Sequence, residues 1–246
     1  MPNALPTLVR DDFESQVFGS TVLRLACSED HELASIRRQA LRAVELVTSG
    51  EAVLVSCRIR DGDEAIDLLR RIGFRQIERL IRFERPIPAK ETMPKRIRLA
   101  TPEDQAACVA IAGTGFKWDR FHMDTHLSNR SADALKAAWV RNCFAGRSDL
   151  LLVGQEERSV CGFLNCLLGD SGEAVIDLIA VSRQHRSRGW GSDLIRACLS
   201  RLDGTARVLV AGTQADNVES VRMYEKLGFH IAQTSVTLHL TREPTR

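Results

Sequence analysis

The chain has 246 residues, 44% of them hydrophobic, enough to bury a full core and to divide into two small domains. Its 34 basic and 32 acidic side chains leave a net charge of +2, too balanced for a nucleic-acid sheath, so no nucleic-acid partner is expected and phosphate binding must be local. No apolar run reaches the length of a membrane span and the first residues lack a cleavable secretory pattern, so a soluble, cytoplasmic protein with no membrane partner is expected.

In chain order, a strand is expected near Thr21 to Cys27, then a helix with apolar positions Leu33, Ile36, Ala40, Val44 and Val47. A strand over Ala52 to Ile59, a helix around Glu64 to Ile72 and a strand from Arg75 to Phe83 complete a βαβαβ order, which calls for a largely parallel sheet covered by helices. Pro86, Pro88 and Pro94 then break the pattern. The expected organisation is an N-terminal α/β domain over 1–88, a linker over 89–95 and a second domain over 96–246.

The second domain opens with a strand from Arg96 to Ala100. Thr101, Pro102 and Asp104 supply an N-cap, a first-turn proline and a first-turn acid for a helix. Gly113 to Asp124 is aromatic and charged without periodicity and reads as a loop. A helix from about Ala132 to Phe144 follows, with Trp139 and Asn142, then a hairpin of strands near Leu150 to Gly154 and Val160 to Leu168.

Glu173 to Val181 reads as a mostly buried strand, too short and too β-branched for a helix. Arg186-Ser187-Arg188-Gly189-Trp190-Gly191-Ser192 comes next and leads into apolar residues at helical spacing from Leu194 to Leu202. A strand, a glycine turn and a helix make a natural pyrophosphate cradle, because first-turn N–H groups and the helix dipole favour an anion. A tight structural turn explains the same pattern. A strand from Arg207 to Gly212 precedes Asn217, which leads a helix carrying Tyr224, the one tyrosine, about two turns along on the same face. Gly228 stops that helix and Phe229 starts a strand. Leu69-Arg70-Arg71-Ile72-Gly73-Phe74 echoes Tyr224-Glu225-Lys226-Leu227-Gly228-Phe229, so the N-terminal domain reads as a partial duplication without the glycine loop, a wall for an acceptor site.

Seven cysteines without a C-x-x-C pair read as buried free thiols in a reducing compartment. His122 and His126 are four residues apart but lack a third ligand, and no metal is expected.

The run from Ala174 to about residue 240 resembles the acetyl-CoA half of the GNAT superfamily of N-acyltransferases. The resemblance implies an α/β GNAT fold with a mixed sheet, acetyl-CoA as co-substrate, a pyrophosphate loop over Arg186 to Ser192, and pantetheine pairing along Leu178, Ile179, Ala180 and Val181. Arg183 stands where that family often has proline, and Ser187 where it often has glycine.

Acetyl transfer to an amine needs a donor for the developing oxyanion, a base for the ammonium proton and an acid for the departing thiolate. A backbone N–H near Ala180 or Val181 suits the first role, and Tyr224 the last. Tyr224 could instead be a packed aromatic with a bonded hydroxyl, and Asn217 a plain N-cap as well as a cofactor contact. Glu78 is the candidate base; its alternative is an exposed acid paired with Arg75 or Arg79, and Asp177 is the other candidate.

Asp12 to Gly19, Ile72-Gly73-Phe74 with Glu78, Arg120-Phe121-His122, and Trp139-x-x-Asn142 are similar in order to the dTDP-fucosamine acetyltransferases. That resemblance implies Tyr224 as general acid, Glu78 near the amine, a substrate site around Arg120, Phe121, His122 and Asn142, and a nucleotide-linked 4-amino deoxy sugar as partner. Arg120 would bind the diphosphate, or else bridge to Asp119 or Asp124 within its loop. A homodimer is open on sequence grounds. The competing readings are another small amine or a protein amine as acceptor and, from a different class, a CoA-sensing module without turnover.

Overall fold

In the computed structural model, which describes residues 6–28 and 31–242, ten strands join one mixed sheet. The first five residues, read above for a secretory pattern, lie outside the described ones. The first half runs β1 (Thr7–Arg10), α1 (Asp12–Phe18), β2 (Val22–Ala26), α2 (Leu33–Ser49), β3 (Leu54–Arg60), α3 (Ala65–Ile72) and β4 (Arg75–Pro86). The second runs β5 (Ile97–Leu99), α4 (Gln105–Gly115), α5 (Asn129–Asn142), β6 (Leu150–Glu156), β7 (Ser159–Leu168), β8 (Glu173–Val181), α6 (Trp190–Arg201), β9 (Val208–Gln214), α7 (Val218–Lys226) and β10 (His230–Thr241). Both β1 and α1 escape the periodicity reading because they are four and seven residues long. Asp11 caps α1 through the Glu14 N–H at 2.9 Å. The expected N-cap Thr101 forms a capping box with Asp104, which starts a short 3-10 turn that α4 continues to Gly115.

The strand order is β1-β2-β3-β10-β4-β9-β8-β7-β6-β5. β2 and β3 are parallel as expected, but β4 is not their neighbour: β10 runs antiparallel between β3 and β4. The second half repeats this layout. β8 and β9 are parallel, and β4 pairs antiparallel with β9 just as β10 does with β3. Each half is thus two parallel strands with a helix between them, then a glycine-stopped helix and a 12-residue strand; the two long strands lie side by side as the central antiparallel pair. Gly73 at φ 117° and Gly228 at φ 78° end the matching helices, and Phe74 and Phe229 are both buried. The division expected at 89–95 therefore does not separate two sheets. The core of the first half is closed by Val236, Leu238 and Leu240 of β10.

Cross-strand neighbours share a face of the sheet. One face carries Val55, Cys57, Ile59, Val236, Leu238 and Phe83, and α2, α3, α6 and α7 pack there. The opposite face carries Arg58, Arg60, Thr237, Ser235, Glu78, Leu80, Arg82 and Gln214. At one end this polar face is covered by α1, α5 and the 116–128 loop, through Phe13 against Trp139 and Phe18 against Phe121.

Candidate active site

The cofactor side is built on β8. Its pairing with β9 covers only Glu173–Ile176 against Val208–Ala211, and the strands part beyond that point. They part at a bulge: Cys166 faces Ile176 while Asn165 faces Leu178, which leaves Asp177 as the extra residue. A bulge bends its strand and re-aims the residues after it. The Ser182 N–H bonds the Cys161 carbonyl at 2.8 Å. Ladder alternation then turns the N–H groups of Leu178 and Ala180 toward β7, and those of Ile179 and Val181 into the opening. Of the two expected donors, Val181 rather than Ala180 has its N–H turned into the opening. The side chains of Leu178 and Ala180 are buried in the core beneath α4. Asp177 is no free base: it accepts from Trp139 Nε1 at 3.0 Å and Asn165 Nδ2 at 2.8 Å, and it pairs with Arg147.

The loop after β8 turns on two residues with positive φ, Ser187 at 61° and Gly189 at 82°. Ser187 therefore occupies a left-handed position that favours glycine, which accounts for the family's preference there. Gly189 is the N-cap of α6 and gives no side-chain hydrogen bond, so the first-turn N–H groups of Trp190, Gly191 and Ser192 remain available to an anion. A Cβ on Gly191 would meet Met223 Sδ at 2.9 Å, so that glycine lets α6 and α7 approach closely. Ser187, Arg188 and Gly189 are exposed. Two side chains of the expected cofactor loop serve the fold. Arg186 donates to the Gly115 carbonyl at 2.8 Å and the Val181 carbonyl at 3.4 Å, and the Trp190 side chain is core. Arg96, which sequence reasoning passed over, lies over the Trp190 ring at 4.0 Å, pairs with Asp193 at 2.6 Å and bonds the Arg188 carbonyl at 3.1 Å.

Tyr224 is 2% exposed, stacked on Phe83 of β4 at 5.4 Å and edge-on to Phe229 at 5.3 Å. Its hydroxyl makes no hydrogen bond to a described residue, unlike a structural tyrosine, and burial pushes its pKa well above the ordinary value. Asn217 caps α7 by accepting from the Ser220 N–H at 3.4 Å, and its amide donates to Thr213 at 3.3 Å. That amide is spent on the turn rather than on a cleft shared with the phenol.

Glu78 is buried, not exposed, and pairs with neither Arg75 nor Arg79. It accepts from Arg58 at 3.2 Å, Thr237 at 3.0 Å and Gln214 at 2.9 Å, at the end of β9 where the sheet opens. Beside it runs a second buried network. Asp124, fully buried, binds His239 at 2.8 Å and Arg75 at 2.6 Å, which with a backbone bond from His126 hold its carboxyl well below the usual range. Burial drives the His239 pKa down to about 4 despite that partner. Arg120 is locked between Glu14 and His239, which is 3.3 Å away, over the Phe121 ring at 4.2 Å; it bridges neither Asp119 nor Asp124. Phe121 is core, and His122 is held between Asp119 at 2.5 Å and Asp133 at 3.1 Å. Asn142 is exposed at the end of α5 without a partner among the described residues, so the substrate contacts expected at these four positions are not brought to one surface.

The missed residues sit on the polar face. A cavity of about 440 Å³ opens there, lined by Arg58, Arg60 and Arg82, by Leu80, Gly212 and Ser235, and at its rim by Cys27, His31 and Asp63. Arg60 makes no ion pair among the described residues. The signal was present in β10, where Ser235, Thr237, His239 and Thr241 alternate with Val236, Leu238 and Leu240 and mark a polar face. Glu156, Cys161 and His185 bring three metal-type donors within 4.8 Å of one another; His185 already pairs with Glu156 at 3.5 Å beside Arg188.

The model of the Acetyltransferase (GNAT) family matches residues 116–229, the stretch that contains the bulged strand, the glycine loop and Tyr224. The protein is thus an N-acetyltransferase, and its uncapped α6, left-handed loop and unpaired β8 edge fit the acetyl-CoA that GNAT enzymes use. The spore coat polysaccharide biosynthesis protein SpsD of Bacillus subtilis (strain 168) is 24% identical over 93% of this chain and 80% of its own length. Mycothiol acetyltransferase of Corynebacterium diphtheriae is 31% identical over 45% of this chain and 37% of its own. A GCN5-related N-acetyltransferase structure from Kribbella flavida superposes with a TM-score of 0.64 at 14% identity, covering 99% of this chain and 89% of that one. Among the described residues no helix is long and apolar enough to cross a membrane.

Proposed function

We propose that this acetyltransferase transfers acetyl from acetyl-CoA to the 4-amino group of a nucleotide-linked deoxy sugar, by direct attack in a ternary complex. The observation that carries the reading is the polar-face cavity, whose Arg58 pairs with Glu78, while α6, which the cofactor loop leads into, packs on the opposite face. Arg58 is committed to Glu78 and Arg82 to Glu84 and Glu173, so Arg60 is the cation free to meet a phosphate. In this reading the diphosphate role passes from Arg120 to Arg60. Similarity to a polysaccharide biosynthesis protein supports a sugar acceptor. Glu78 orients the amine and takes its proton directly or through a water, the Val181 N–H polarises the thioester carbonyl, and Tyr224 gives its proton to the departing sulfur. A phosphate-free amine is the second reading, favoured by the partial match to mycothiol acetyltransferase.

The test is thiol release from acetyl-CoA with nucleotide 4-amino sugars, free amino sugars, polyamines and peptides. Selective turnover of the nucleotide sugar is expected, and Arg60→Ala should raise its KM about tenfold, the size of one charge-assisted hydrogen bond. Equal turnover of phosphate-free amines, or an unchanged KM in Arg60→Ala, would overturn the nucleotide assignment.

A further inference from the structure

We infer that Cys27 and Cys57 are a peroxide-oxidisable thiol pair at the rim of the polar-face cavity. Their sulfurs lie 3.9 Å apart. Cys57 is fully buried in β3, whereas Cys27 lies just past the end of β2, half-buried and facing the cavity with His31 and Asp63. Leu25 is the residue opposite Cys57 in the parallel ladder, so Cys27 lies beyond the paired residues and its side chain has room to turn. A disulfide requires a sulfur separation of about 2.05 Å, so closing this pair takes a movement of about 2 Å.

The two thiols differ in the way an attacking and a resolving sulfur must. The hydrogen bond from Cys57 lowers the Cys27 pKa, and His31 adds to the effect; the same contact and burial raise that of Cys57. His31 is itself fixed by the Ser28 carbonyl at 2.6 Å and by Asp63 at 3.3 Å. Thiolate character and access select the cysteine that a peroxide oxidises. Cys166 and Cys198 are also in contact, but both are fully buried, so proximity alone does not expose a pair.

The chemistry balances with a hydroperoxide as the oxidant. The Cys27 thiolate attacks one peroxide oxygen; the O–O bond breaks, hydroxide leaves, and Cys27 becomes a sulfenic acid. The Cys57 sulfur then attacks the Cys27 sulfur, the S–O bond breaks, and the hydroxyl departs with the Cys57 proton as water. The two sulfurs together lose two electrons, which the peroxide gains. The bond would tie the end of β2 to the residue that precedes Arg58, the partner of Glu78.

Hydrogen peroxide treatment of the whole protein, alkylation of the remaining thiols and peptide mapping tests this. The expected product is a cross-linked peptide pair holding Cys27 and Cys57, lighter by two hydrogens, with the other five of the seven cysteines alkylated and with full reversal by dithiothreitol. Cys57→Ala should halt at a Cys27 sulfenic acid that dimedone traps, and Cys27→Ser should leave Cys57 reduced. All seven thiols remaining alkylatable in the wild type, a Cys27 sulfenic acid that never closes, or first oxidation at another cysteine would each overturn the inference.

Discussion

Replacing Tyr224 with phenylalanine removes one oxygen and leaves the ring. The ring accounts for the packing on Phe83 and Phe229, and the hydroxyl has no partner among the described residues, so its loss strands no buried group. Stability should therefore change by less than about 0.5 kcal/mol, the usual range where no such feature is disturbed. A positioned general acid contributes about 10²–10⁴ in rate. The leaving thiol has an ordinary pKa of about 8.5 and departs without help more readily than an alkoxide would, so the lower end applies: kcat should fall about 100-fold, or roughly 2.7 kcal/mol. Burial raises the phenol pKa above 10, so its proton stays in place through the alkaline assay range and no loss of rate below pH 10 traces to Tyr224. The assay is steady-state thiol release beside calorimetric binding of acetyl-CoA. A variant with near wild-type kcat, or one whose entire defect is in cofactor affinity, would refute the acid role.

Gly189→Leu places a Cβ 3.3 Å from Arg96 Nη2 at φ 82°, so acetyl-CoA affinity should drop about tenfold for the roughly 1–2 kcal/mol of left-handed strain; an unchanged Kd by calorimetry would show that the loop does not hold the pyrophosphate. His239 is neutral when folded, with its pKa lowered from 6.5 to about 4 by burial, so the unfolded chain binds more protons between those values. Stability should fall as pH drops through that window, by roughly 3 kcal/mol from this group. His31, raised by the Ser28 carbonyl and Asp63, and His122, raised by Asp119 and Asp133, contribute with the opposite sign, so denaturant titrations of wild type and His239→Gln should differ in slope between pH 6.5 and 4, and equal slopes would exclude the effect.

Local chemistry was legible where the signal is local. The strand Glu173–Val181, the Thr101 capping box and the paired glycine stops follow from β-branching, capping and left-handed geometry within a few residues. Partner choice was not. Arg120 reaches Glu14, 106 residues away, and β10 enters between β3 and β4, because a period-two pattern states which face a strand buries and not which neighbour it takes. The bulge at Asp177 was equally hidden, since an alternating strand absorbs one extra residue without a change in composition. What the alternation of β10 did encode was the polar face. His239 and Thr237 were therefore legible as members of one polar face, though not as neighbours of Glu78.

The exchanged strands make the site a joint product of the two halves. Glu78 lies on β4, which the first half contributes, yet it is held by Gln214 of β9 and Thr237 of β10. Tyr224 belongs to the second half, yet its ring rests on Phe83 of β4. Were the 1–88 segment only a wall, the remainder would be a complete catalytic unit. Instead, its removal would strip β9 of β4 and β10 of both its neighbours, β3 and β4, and take the stacking partner from the phenol. Unpaired backbone along two strands costs far more than a lost wall contact, because every buried N–H and C=O needs a partner. The two halves fold as one sheet because the site is built across the seam between them.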